Sequence, residues 1–163
     1  MVNGIRKARS PQLPILIAGT KKATIATIDE GSEINCIDNS FAVLCGIRYT
    51  NTKCKATAAN STKMSLTGQT AEDIKMSVIH TGKAIEFDVG KMVIVKNLGF
   101  DVLLGEPCKR DNEIVTIPHR SLVEVRNTEG KKIKLPYTSS IGDVEVEHCK
   151  AIYIQTIYTQ DLL

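Results

Sequence analysis

Short apolar segments rich in Ile, Val and Thr recur along this chain, alternating with turns of Gly, Asn, Asp and Lys. That alternation predicts a β-rich domain. "LPILIAG" and "ATIATID" flank "GTKK" and predict a hairpin. In "IEFDV", Ile85, Phe87 and Val89 share one face while Glu86 and Asp88 share the other, the mark of a half-buried strand. "KMVIVK", an apolar run bounded by lysines, reads as a strand covered on both sides. "EIVTI", "SLVEV", "KKIKL" and "DVEVE" continue the pattern, with turns at Pro118 and from Asn127 to Gly130.

One segment reads as clearly helical. In "IDNSFAVLCG", Ile37, Phe41, Leu44 and Cys45 fall at helical spacing, Asp38 or Asn39 can cap the start, and Gly46 suits the end. A second short turn of helix is predicted at "GEPCKRDN", after the strand "FDVLL".

With 163 residues, 42% hydrophobic and 24% charged, the chain fits one globular domain with a real core. No window approaches the roughly 20 apolar residues of a membrane span. The opening "MVNGIRKARSPQLP" lacks the apolar stretch of a signal peptide, so the expected location is intracellular, in the cytoplasm. A net charge of +3, scattered apart from Arg6, Lys7 and Arg9, is too weak to argue nucleic-acid binding. Cys36, Cys45, Cys54, Cys108 and Cys149 form no C-x-x-C pair, which predicts free thiols rather than a disulfide framework or a zinc site. His80 and His119 fall in turn-like contexts and build no Ser-His-Asp or Cys-His set.

The chemistry points to "ATIATIDEGSEINCID", where a run of β-formers delivers Asp29 into Glu30 and then Gly31. Glycine lets the backbone turn sharply, so Asp-x-Gly after a strand can hold a carboxylate at the tip of a rigid scaffold. A second copy, Asp88-Val89-Gly90, reads as a hairpin turn. Around Asp29 stand a hairpin before it, "SEIN" after it, the polar hairpin-like "TAANSTKMSLTG", and "LGFDVLLGEP" far downstream.

This order resembles the retropepsin family, the aspartic proteases of retroviruses and retrotransposons, over roughly residues 14–125. "IDEGSEIN" stands where a gypsy-like retrotransposon protease has a pattern such as I-D-S-G-A-E-I-N, and "LGFDVLLGEP" matches the closing strand. The resemblance implies an all-β, retropepsin-like closed β-barrel with one or two short helices, active as a two-fold homodimer. It implies an endopeptidase that processes a retroelement polyprotein, with no metal and no cofactor. The catalytic residue would be Asp29, paired with its own copy in the second chain. Glu30, Gly31 and Ser32 would form the active-site loop, with Leu103, Leu104 and Gly105 packing beneath it. Ala58, Ala59, Asn60 and Ser61 would lie in a flap over the polypeptide substrate. The domain would run over residues 13–126, after an arm at 1–12. Residues 127–163 would add strands or link to a following region. The stretch from Asp29 to Gly105 is long for the family, so the flap strands or the loop "TAEDIKMSVIHTGK" are expected to be enlarged.

The match breaks at Glu30, where the family carries Ser or Thr whose hydroxyl bonds across the dimer axis. Ser32 in place of Ala is a milder change. Three readings follow. A neutral Glu30 donates that hydrogen bond, or it points outward to solvent or a lysine, or the domain survives as a non-catalytic dimerisation or peptide-binding module.

Overall fold

The computed structural model describes residues 10–57, 63–80, 83–127 and 129–139. The predicted hairpin is formed by β1 (Pro11–Ile17) and β2 (Ala23–Ile28), antiparallel with Leu13 opposite Ala26 and Ile15 opposite Thr24. Its turn places Gly19 at φ +81°, and the Thr20 hydroxyl donates to the Ile17 carbonyl at 2.9 Å. β3 (Cys36–Asp38) runs straight into α1 (Asn39–Leu44). The Asp38 carboxylate accepts from the Ser40 N–H at 3.0 Å, and Gly46 takes the left-handed conformation just past the helix end. The helix turns Phe41 and Ala42 inward, whereas Leu44, expected on the same apolar face, is 60% exposed. So short a helix presents little more than one turn to the core.

After β4 (Tyr49–Thr50) come β5 (Leu66–Thr70), β6 (Ile74–His80), β7 (Lys83–Gly90), β8 (Val93–Val95) and β9 (Val102–Leu104). α2 (Glu106–Asp111) then leads to β10 (Val115–Ile117), a turn of 3-10 helix at Pro118–Arg120, β11 (Leu122–Arg126), β12 (Lys132–Pro136) and β13 (Thr138–Ser139). Among the described residues the large sheet has the order β4-β5-β8-β3-β9-β2-β1-β6-β7, with β13 also on β1, and β10-β11-β12 form a smaller sheet. The large sheet curls into a half-barrel.

Two sequence expectations are corrected. Asp88-Val89-Gly90 is not a hairpin turn: it is the end of β7, with Asp88 opposite Lys75 and Gly90 opposite Ile74. The stretch expected as an enlarged loop contains β6, which forms a long antiparallel pair with β7, and His80 ends that strand opposite Lys83. Thr138 and Ser139, in the stretch expected to add strands or form a link, pair with β1 through Gln12 opposite Thr138. "DVEVE" and Cys149 lie outside the described residues.

The core is built by alternation. Ile15, Ile17, Ile28, Ile37, Met76, Ile94 and Leu104 are almost solvent-free, and each such burial contributes about 1.5–3 kcal/mol. Ile94 faces this main core, while Val93 and Val95 face a smaller cluster with Cys36 and Leu103. That division explains why "MVIV" is apolar on both faces: β8 is covered on each side.

Candidate active site

The position of Asp29 follows from how β2, β9 and β3 are ordered. β9 lies between the other two, parallel to β2 and antiparallel to β3, with Ile28 opposite Leu104 and Cys36 opposite Leu103. The connection from β2 to β3 must therefore cross the C-terminal end of β9. Asp29 begins that crossing, and its N–H extends the ladder by donating to the Leu104 carbonyl at 2.8 Å.

Within the loop, the Gly31 N–H donates to Asp29 Oδ1 at 2.9 Å and the Ser32 N–H to the Asp29 carbonyl at 3.2 Å. The Ser32 hydroxyl donates to the Ile34 carbonyl at 2.7 Å, so Ser32 braces the next turn of backbone. Gly105 lies directly under the crossing. A Cβ there would stand 2.5 Å from the Ile34 carbonyl oxygen and 2.6 Å from that of Ser32, too close for any side chain. The Glu106 N–H donates to the Ser32 carbonyl at 2.8 Å, which fastens the start of α2 to the loop.

Asn35 completes the support and was not singled out from the sequence. It is buried, accepts from the Gly105 N–H at 2.9 Å through Oδ1, and its Nδ2 lies 3.5 Å from the Val89 carbonyl. The only sequence signal was its place in "EIN", which gave no role.

Glu30 makes its contacts with α2 and β10. Its carboxylate is paired with the Lys109 ammonium and accepts from the Thr116 hydroxyl at 2.8 Å. The Lys109 hydrogen bond first, then that of Thr116, holds the Glu30 carboxyl below its ordinary range, against a small opposing effect of burial. A charged, paired glutamate is the second of the three arrangements considered, not the neutral donor. Neither Lys109 nor Thr116 was among the predicted site residues, and neither carries a local motif.

Beside Asp29 opens a groove of about 440 Å³, lined by Ser32, Ile34, Ala56, Leu98 and Leu103 among others. Thr57 and Lys63 pair antiparallel at its rim, and the Met64 N–H donates to the Ala56 carbonyl at 3.0 Å. Ala58, Ala59, Asn60 and Ser61, the expected flap tip, lie outside the described residues. Leu103 reaches the groove, whereas Leu104 and Gly105 act from beneath, through backbone contacts to the loop.

Among the described residues the cysteines form no disulfide, and Cys36 lines the groove. Cys36, Cys45, Cys54 and Cys108 are free, and burial pushes the thiols of Cys36 and Cys108 up to about 12 and that of Cys45 up to about 11. His119 sits exposed in the 3-10 turn.

No protein-family model and no curated protein matches the sequence. Solved structures do match. The retroviral protease-like domain of Ddi1 from Leishmania major superposes with a TM-score of 0.56 at 15% identity, covering 81% of this chain and 96% of that domain. The fold is retropepsin-like. The EIAV protease complexed with the inhibitor HBY-793 also matches, with a TM-score of 0.46 at 11% identity, over 72% of this chain and 99% of that one. In this retropepsin-like fold, the strand crossing described above sets the Asp29 loop against the groove, which Asp29, Gly31 and Ser32 help to line. Among the described residues no helix is long and apolar enough to cross a membrane.

Proposed function

We propose that the protein is an aspartic endopeptidase that works as a homodimer and processes a retroelement polyprotein. The observation that carries this reading is the Asp29 loop. A carboxylate stands at the end of a buried strand and is oriented by the Gly31 N–H at 2.9 Å. It borders a groove of about 440 Å³, room for a peptide side chain. One chain supplies one such aspartate. Two copies of Asp29 facing each other across a two-fold axis could not both ionise, so the pair would share a proton. The ionised member would take a proton from water as it attacks the scissile carbonyl, and the protonated member would donate to the carbonyl oxygen. Apolar lining from Ile34, Leu98 and Leu103 suits burial of a hydrophobic substrate side chain beside the reacting bond.

The test is Asp29→Asn in the full chain, assayed against a peptide library and against the chain's own flanks. The substitution is nearly isosteric, so cleavage is lost while the dimer and the fold are retained. A second reading, a non-catalytic dimerisation or peptide-binding module, is favoured by Glu30 at the position where the family carries a hydroxyl. It expects no cleavage by the wild type at any pH and peptide binding that survives Asp29→Asn.

A further inference from the structure

Resting on the peptidase reading, we propose that Glu30 is a positioning residue. Together with Lys109 and Thr116 it forms a clamp within one chain that fixes the Asp29 loop. The inference starts from Lys109. Its side chain is 10% exposed, whereas that of Glu30 is 58% exposed. A lysine side chain so covered has its ammonium held in one place, and Glu30 is the carboxylate paired with it there. The lysine itself belongs to the frame of the site. α2 starts at Glu106, whose N–H holds the Ser32 carbonyl, and the Lys109 N–H donates to the Gly105 carbonyl at 3.2 Å.

Thr116 approaches the same oxygen, Glu30 Oε1, from a different element. It lies on β10 opposite the fully buried Val123 of β11, so its hydroxyl is held by the small sheet. Helix, small sheet and loop thus converge on the residue next to Asp29, from 79 and 86 positions away in sequence. Where the family pattern has a hydroxyl reaching toward a second chain, this chain has a carboxylate gripped by its own lysine and its own threonine. The consequence is that the loop is ordered within the monomer, before any dimer forms, and that its order depends on Lys109.

The experiment uses the full chain and two readouts. In steady-state peptide cleavage, Glu30→Gln and Lys109→Met each lower kcat on the order of tenfold with KM within about twofold, and the double variant is no worse than the poorer single. Independently of catalysis, the NMR amide resonance of Gly31, whose N–H binds Asp29 Oδ1, moves in Lys109→Met and in Thr116→Val, both remote from it in sequence. Lys109→Arg, which keeps the cation, restores kcat and the Gly31 resonance toward wild type. If Lys109→Met does not fold, Thr116→Val, which removes only a hydroxyl, carries the same test. A wild type that cleaves nothing overturns the peptidase reading alone, and the Gly31 resonance then decides the clamp. An unmoved Gly31 resonance in the folded variants, or losses in kcat that multiply in the double variant, overturns the clamp.

Discussion

Gly105→Ala is the substitution whose cost follows most directly from the strand crossing. Gly105 has a φ of −97°, so alanine meets no backbone strain there and the whole effect is steric. The new methyl would sit 2.5 Å from the Ile34 carbonyl oxygen and 2.6 Å from the Ser32 carbonyl oxygen, and both obstacles are backbone. No side chain can rotate away, so the loop must lift by several tenths of an ångström. Lifting it stretches the Glu106 N–H to Ser32 carbonyl bond, now 2.8 Å, and the Gly105 N–H to Asn35 bond, now 2.9 Å. Overpacking of about 1–3 kcal/mol together with one weakened buried hydrogen bond gives a destabilisation of about 3 kcal/mol. For a domain of this size that lowers the melting temperature by about 6–12 °C. Because Asp29 rides on the same loop, peptide cleavage falls on the order of a hundredfold. Calorimetry and urea titration read the stability, and a peptide assay well below the melting point reads the activity. A loss under about 0.5 kcal/mol with unchanged cleavage would refute the packing argument, since two backbone contacts that close cannot be relieved without moving the loop.

Other substitutions probe the same frame at different points. Asn35→Ala leaves the Gly105 N–H buried without its acceptor and costs about 2 kcal/mol in urea denaturation, with cleavage reduced in step. Asp38→Ala removes both the cap on Ser40 and the acceptor for the Leu98 N–H, so stability drops by about 1–2 kcal/mol while the far-UV spectrum keeps its β character. The Glu30 carboxyl sits below its ordinary value of 4.5 in the folded chain, so its contribution is fully present above that pH and is lost as pH falls through the lowered value. The stability difference between wild type and Glu30→Gln is therefore constant near neutrality and shrinks in acid. A difference that grows in acid would contradict the pairing.

Much of this architecture was legible because it rests on local pattern. The period-2 alternation of "IEFDV" and the unbroken "MVIV" reflect which faces are covered, and Asp38, Ser40 and Gly46 carry the ends of α1 within a few residues. The Asp29 loop was readable for the same reason, since strand, acid and glycine are contiguous. What sequence spacing could not convey was register and convergence. Asp88-Val89-Gly90 has the composition of a turn, yet pairing with Ile74 and Lys75 keeps it in β7. Asn35 looks like any polar residue after a loop, and only the crossing over β9 makes its amide the link to Gly105. Glu30 looked anomalous against the Ser or Thr of the retropepsin pattern, and its role was hidden because Lys109 and Thr116 are brought to it by α2 and the small sheet rather than by neighbours in sequence.

The central claim is that each active site needs one Asp29 from each of two chains. Wild-type chain refolded with increasing fractions of Asp29→Asn chain tests it directly, with total protein held constant and peptide cleavage measured. If Asp29 acts as half of a shared pair, activity falls as the square of the wild-type fraction, because mixed dimers are inactive. Activity falling in direct proportion to that fraction would mean that a single chain cuts alone, and would contradict the account.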